Sequence, residues 1–367
     1  MDFELTTKTI KECIESLKLP YFKILVKKDG KDVFTYNYEI EDFGNEQLAM
    51  YSMSKPITCV AFMQLVEKGL VSLDDDLDKY YPEYTHLFNI KTKEVIKNKI
   101  KIYNLLSMTS GLDYGLGRKA IKDLVSSNPN ASTQEVCAVF GKDGILFEPG
   151  EGYQYSLSLD VVAALIEKIS GERFSDYVKK NIFDRLGMNH STFKQCSLID
   201  SCRCEYLPND LSLMKVNTYY HGFHPSKNYE SGGAGLISTV KDYSLFADSL
   251  ANNNILITEE SKNKISKIIV QDTPFDESVK EYSKSSEEYG YGLAVRVRKN
   301  DSIEGIPAGE FGWDGAAGSY SLIDRKNNVS IVIGLTILNW PSYVTDLHIK
   351  IVKAIYSDFK ANKNSCK

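Results

Sequence analysis

Ser52 and Lys55 stand three residues apart in Tyr51-Ser52-Met53-Ser54-Lys55-Pro56-Ile57-Thr58, so one helical turn places the amine against the hydroxyl. A serine hydroxyl is inert until a base takes its proton, and a desolvated lysine is neutral enough to serve. Ser52 is therefore a candidate nucleophile and Lys55 its activating partner. The spacing alone is not selective, because Ser191/Lys194, Ser212/Lys215, Ser238/Lys241, Ser261/Lys264 and Ser357/Lys360 repeat it. The setting separates the first copy. Val60, Ala61, Phe62, Met63, Leu65 and Val66 follow almost without polar interruption until Lys68 and Gly69, and a helix apolar nearly all round is expected to be buried. The other copies lie in polar or mixed sequence, and an ordinary serine at a helix start is the competing reading.

Two further stretches would complete an acyl-transfer site. The first is Phe147-Glu148-Pro149-Gly150 followed by Tyr153-Gln154-Tyr155-Ser156-Leu157. Tyr155 on a loop facing Ser52 and Lys55 could pass the serine proton to a leaving group. The chain has 23 tyrosines, so a packing or surface aromatic is the alternative. The second is Phe311-Gly312-Trp313-Asp314-Gly315-Ala316-Ala317-Gly318, read either as a loop entering an edge strand or as backbone N–H groups forming half of an oxyanion hole.

These residues must be held by elements the sequence also outlines. Ile10, Cys13, Ile14 and Leu17 mark an amphipathic first helix that Pro20 ends. Tyr21 to Lys27 and Asp32 to Tyr38 read as strands joined by Asp29-Gly30. Tyr289 to Arg298, Ser319 to Ile323 and Val329 to Leu338 read as a meander, and Val344, Leu347, Ile351, Ile355 and Phe359 as a last helix after Pro341 and a capping Ser342. In the middle, Leu159 to Ile169 and Phe174 to Phe183 read as helices stopped by Gly171 and Gly187. The expected fold class is α/β (α+β): a five-stranded antiparallel sheet from residues 1–75 and 231–367, interrupted by a mainly helical domain, 76–230, with the site in the cleft between them. Residues 270 to 289, rich in Asp, Glu, Ser and Lys, read as a mobile loop.

The chain's 367 residues, 43% hydrophobic and 25% charged, suffice for a sizeable core. A net charge of -5 and a basic cluster, Lys91 to Lys101, interrupted by Glu94 and isoleucines argue against nucleic acid. Met1-Asp2-Phe3-Glu4-Leu5 lacks the features of an export signal, and no later segment is apolar enough to span a bilayer, so a cytoplasmic protein without membrane partners is expected. Seven cysteines fit reduced thiols. His190, Cys196, Cys202 and Cys204 lie close together, but Cys-x-Cys is too short for a structural zinc site, so free thiols are the preferred reading and no metal is expected.

Eight motifs occur in one order: Ser52-Met53-Ser54-Lys55-Pro56, Leu73-Asp74-Asp75, Leu105-Leu106-Ser107-Met108-Thr109-Ser110-Gly111-Leu112, Phe147-Glu148-Pro149-Gly150, Tyr155-Ser156-Leu157, Leu186-Gly187-Met188, Gly233-Ala234-Gly235-Leu236 and Trp313-Asp314-Gly315. In this the chain resembles the serine β-lactamase and penicillin-binding-protein superfamily, and within it the class C β-lactamase-like branch that includes family VIII carboxylesterases. The resemblance runs from about residue 20 to 340. It implies a β-lactamase/transpeptidase-like fold, Ser52 as acylated nucleophile, Lys55 as its activating partner and Tyr155 as base or proton relay. It further implies an oxyanion hole from the N–H groups of Ser52 and Ala316, and no metal or organic cofactor.

Three departures bear on substrate. Leu157 stands where the lactamases have an asparagine that holds a substrate amide. Trp313 replaces a lysine, and Asp314, where Thr or Gly is usual, is expected to repel anionic substrates if it faces the cleft, favouring neutral or cationic esters. With Gly315, these residues are the expected substrate-binding positions. Met108 stands where the family often has histidine, in a segment read as structural. A small carboxylic ester is the leading substrate reading. The alternatives are an amidase, D-amino-acid peptidase or weak β-lactamase of the superfamily, and a catalytically idle binding protein. No Gly-x-Ser-x-Gly elbow supports a Ser-His-Asp hydrolase, and His221 and His224 are read as lining or bracing a loop, the alternative being that one of them touches substrate.

Overall fold

The structure is a computed structural model that describes residues 1–39, 47–194, 204–206, 213–215, 224–271, 288–301, 305–335, 337–338 and 345–365. Seven antiparallel strands make its main sheet, in the spatial order Lys31–Glu39, Tyr21–Lys28, Val329–Gly334, Tyr320–Asp324, Phe311–Gly312, Arg296–Arg298, Tyr289–Tyr291. Asp29 and Gly30 both take positive φ, 50° and 75°, the turn whose twist matches that of the strands it joins. The inner strand Tyr21–Lys28 pairs on one side with its hairpin partner and on the other with Val329–Gly334, so that Lys23 faces both Asn37 and Gly334.

Five strands were expected from the sequence, and one of the two additional strands arises in residues 289–298. There the Gly292 N–H bonds the Val295 carbonyl and Ala294 takes a φ of 60°, so an expected single strand reverses into a hairpin. Its tip is held by distant acceptors: Leu293 N–H reaches the Ile265 carbonyl and Ala294 N–H the Leu106 carbonyl. Such tertiary anchors leave no mark in local alternation. Phe311–Gly312 adds the seventh strand, while the expected strand 329–338 stops at Gly334 and Ile337–Leu338 joins Cys204–Tyr206 in a separate small sheet.

Successive residues of the central strands enter opposite cores, as a pleated strand requires. Phe22, Ile24, Val26, Leu322, Ile331 and Ile333 pack with the N-terminal helix Glu4–Leu17 and the C-terminal helix Thr345–Ser365. Leu25, Ile323 and Val332 face the other way, into a larger core shared with helices Ser54–Glu67, Ser158–Ser170 and Val240–Asn252. Each large apolar side chain fully buried there stabilises the fold by about 1.5–3 kcal/mol before entropy is counted.

The helical middle follows its sequence signals. Ser158–Ser170 ends at Gly171 with φ 71°, and the stretch from Phe174 to Leu186, which contains one wide π turn, ends at Gly187 with φ 73°. Pro341, Ser342, Val344 and most of the 270–289 loop lie outside the described residues. Among the described residues no helix is long and apolar enough to cross a membrane.

Residues 231–236 thread between helices Ser54–Glu67 and Ser158–Ser170. The Gly232 carbonyl accepts from Thr58 Oγ1 at 2.7 Å, and a Cβ on Gly232 would stand 2.5 Å from the Leu159 carbonyl. Gly232→Ala should therefore cost about 1–3 kcal/mol and lower Tm by several degrees in a thermal melt. An unchanged Tm would mean that the two helices part freely.

Candidate active site

Strand Leu48–Tyr51 passes into helix Ser54–Glu67 through a tight turn in which Tyr51 takes a φ of 47°. For a bulky residue that conformation costs about 1–2 kcal/mol and needs support from its surroundings. Ser54 supplies it: its hydroxyl donates to the Tyr51 carbonyl at 2.6 Å and accepts the Leu236 N–H at 2.9 Å. Met53 N–H also closes onto the Met50 carbonyl at 3.1 Å. Pro56 lies in the first helical turn, where no N–H partner is lost. Ser52 is thereby held, partly exposed, at the start of a helix buried on every side.

Lys55, fully buried, reaches Ser52 Oγ at 3.1 Å, the Tyr114 hydroxyl at 3.1 Å and the Gly233 carbonyl at 2.8 Å. Three acceptors satisfy an ammonium. The neutral amine keeps two donors and turns its lone pair to Ser52, so the same cradle serves both states. Burial lowers the Lys55 pKa to about 7, against the opposing pull of Asp160. That carboxylate is buried across Gly233, whose Cβ, if present, would lie 2.7 Å from Asp160 Oδ2 and 3.7 Å from Lys55 Nζ. Neither Asp160 oxygen has a well-formed hydrogen bond, and desolvation raises its pKa although Ser231, Tyr229, Lys55 and the Gly233 N–H lower it.

Tyr155 covers the amine: Lys55 Nζ stands 4.5 Å from its ring centroid. Its ring packs between those of Tyr114 and Trp313, at centroid distances of 5.5 and 5.6 Å, and its hydroxyl accepts Trp313 Nε1–H at 3.1 Å. Burial raises the Tyr155 pKa above the ordinary tyrosine value, outweighing the hydroxyls of Ser52 and Tyr114 and the Trp313 indole. The loop is fixed from behind. Ser110, Ser158 and Ser156 form a hydroxyl chain with 2.8 Å links, Ser156 Oγ donates to Met108 Sδ at 3.4 Å, and Gln154 N–H bonds the Met108 carbonyl. Met108 thus braces the Tyr155 loop.

Gly315 lies against the Met50 carbonyl, which a Cβ would approach to 2.5 Å, so the Trp313–Gly318 turn abuts the turn that carries Ser52. Among the described residues neither the Ser52 nor the Ala316 N–H has a protein acceptor. Asp314 pairs with Arg296 at 2.7 Å, so its charge is compensated, which the expectation of simple anion repulsion did not include. Burial works against the Arg296 cation, yet Asp314 and the surrounding acidic groups hold its pKa above the ordinary value. Leu157 is 3% exposed within the main core, and its N–H bonds the Asp113 carbonyl.

The site thus brings together Ser52, Lys55, Tyr155 and Trp313. Sequence reasoning missed Ser54, Tyr114, Asp160, the Gly233 carbonyl and Arg296. Asp160 carried a signal, a carboxylate set between Leu159 and Val161 at the start of the apolar run of helix Ser158–Ser170, whereas Tyr114 and Arg296 had none. Among the described residues no group of three or more His, Cys, Asp or Glu side chains could hold a metal. Cys196 and Cys202 lie outside those residues, as does His221; His224 braces its loop through a 3.3 Å contact to the Tyr229 carbonyl.

Fold and site together are those of a serine hydrolase of the β-lactamase and transpeptidase type. The chain belongs to the Beta-lactamase family, whose defining pattern matches residues 8–354. It is similar to Esterase EstB of Burkholderia gladioli, 24% identical over 331 residues that cover 83% of this chain and 81% of that protein. It also matches Protein flp of Staphylococcus aureus strain N315, 26% identical over 196 residues, which is 51% of this chain and 38% of that longer relative. Among solved structures, EstCE1, described as a hydrolase with promiscuous acyltransferase activity, superposes with a TM-score of 0.76 at 18% identity, covering 96% of this chain and 98% of its own.

Among the described residues Asp160 is the carboxylate that pulls the Lys55 pKa upward. Asp160→Asn should move the Lys55 titration midpoint below about 7, read from the lysine side-chain NMR signal against pH. A midpoint that stays or rises would refute the coupling.

Proposed function

We propose that this chain cleaves small carboxylic esters through an acyl-enzyme on Ser52. The observation that carries the reading is the buried Lys55 amine, 3.1 Å from Ser52 Oγ and poised between charge states near pH 7. Neutral Lys55 takes the Ser52 proton as Oγ attacks the ester carbonyl. The Ser52 and Ala316 N–H groups receive the oxyanion. Tyr155, held neutral by its raised pKa and oriented by Trp313, passes the proton from Lys55 to the departing alkoxide. Water then attacks the acyl group along the reverse path. Lys55 is thus the first base and Tyr155 the relay.

An ester suits the site better than an amide or lactam. Leu157 offers no side-chain amide to a peptide-like acyl group, and Trp313 brings no cation to a lactam carboxylate. A similarity to Esterase EstB supports the same reading. The sheet formed from both ends of the chain and the helical middle, 76–230, are the two sides of the proposed cleft.

Wild type should hydrolyse p-nitrophenyl acetate and butyrate far faster than nitrocefin or a D-alanyl peptide, and Ser52→Ala should lose ester turnover by roughly three orders of magnitude or more. Preferred cleavage of the peptide or lactam would reassign the substrate class, and no Ser52-dependent turnover of any of them would leave a binding role.

The pH profile tests Lys55 as base. A depressed lysine pKa leaves the reactive amine populated above it, so kcat/KM should rise about tenfold per pH unit on the acid side and level off above about 7. A profile with no break near 7 that climbs only in the range of an ordinary lysine would refute a depressed Lys55 as the base.

A further inference from the structure

Asp314 is a side chain that the acyl-transfer reading does not use. It is 49% exposed, between Trp313, which bonds Tyr155, and Gly315, which abuts the turn carrying Ser52. Its partner Arg296 lies one strand away with only 9% side-chain exposure. One arm of that guanidinium donates to Asp314 Oδ1 at 2.7 Å and the other to the Ser321 carbonyl at 2.7 Å, while its carbon sits 4.3 Å from the Tyr320 ring centroid. Stacked and anchored, it is a preorganised carboxylate receptor. Its outward arm is already taken by a carboxylate of the same chain.

We propose that Asp314 is a built-in stand-in for a substrate carboxylate, which occupies Arg296 and so restricts the site to uncharged esters. Removing the Asp314 carboxylate would then open the site to esters that carry a free carboxylate, such as half-esters of dicarboxylic acids. This deepens the esterase reading and rests on it for its substrate class. It differs from charge repulsion in a definite way: repulsion needs only Asp314, whereas occupancy needs Arg296 as well.

Glutarate is the binding probe, titrated calorimetrically into wild type, Asp314→Ala and Asp314→Ala/Arg296→Met. In parallel, kcat/KM is compared for p-nitrophenyl butyrate and mono-p-nitrophenyl glutarate. Asp314→Ala should bind glutarate roughly tenfold or more tightly than wild type and raise the anionic-to-neutral kcat/KM ratio by a similar factor. Both gains should vanish in the double variant and shrink as sodium chloride is raised. No tighter glutarate binding in Asp314→Ala overturns the proposal, as does a gain that survives in a double variant with an unaltered Tm. If the double variant does not fold, Asp314→Asn decides: its amide still caps Arg296 without the charge, so a gain there as large as in Asp314→Ala overturns occupancy. Absent butyrate-ester turnover would count against the esterase reading alone, since the glutarate titration stands without catalysis.

Discussion

The constraint on which the rest of this molecule depends is the burial of one amine. A lysine ammonium removed from water is costly unless it is partnered or loses its proton, and Lys55 is placed between those outcomes. Its acceptors come from three separate parts of the chain: Ser52 before the helix, Tyr114 after the Ser110-Gly111-Leu112 stretch, and Gly233 between two helices. None has to move when the proton shifts. Asp160, one residue's thickness away, keeps the amine from becoming too weak a base, and it remains a poor ion-pair partner because it is itself desolvated.

Several otherwise odd local choices follow from serving that amine. The glycines at 232 and 233 have no room for a Cβ, since the helix bearing Asp160 and the helix bearing Lys55 close on the same few atoms. Tyr51 is held in a left-handed conformation by a serine hydroxyl bonded to two separate backbone segments. The aromatic wall of Tyr114, Tyr155 and Trp313 lowers the local dielectric and supplies hydroxyl and indole groups at its edges, so the same side chains exclude water and, in the proposed mechanism, handle the proton.

Much of this was legible in the sequence because local chemistry dictated it. Asp29-Gly30 set a hairpin, Gly171 and Gly187 ended helices, and the apolar run after Lys55 announced its burial. The eight ordered motifs placed the chain among its relatives. What escaped reading was set by contacts between distant segments. The reversal at Ala294 depends on the carbonyls of Leu106 and Ile265, and the Asp314–Arg296 pair depends on two strands lying side by side. Asp314 read alone is an exposed negative charge; read with its partner it is the outer half of an ion pair whose cation is buried.

The pairing of Tyr21–Lys28 with Val329–Gly334 reaches beyond the finished fold, into its assembly. The strand Tyr21–Lys28 lies between its hairpin neighbour and a strand synthesised long after it. On the ribosome, the Tyr21–Glu39 hairpin is therefore expected to wait for Val329–Gly334 with one edge unpaired, while the helical middle has local contacts with which to condense. The order of emergence lets the central sheet close only after the helical middle has been made. Because the turn that carries Ser52 and the Trp313–Gly318 turn meet only across that closure, the proposed nucleophile and the proposed oxyanion loop come together after it, and a chain lacking the later strands carries Ser52 without that wall of its site.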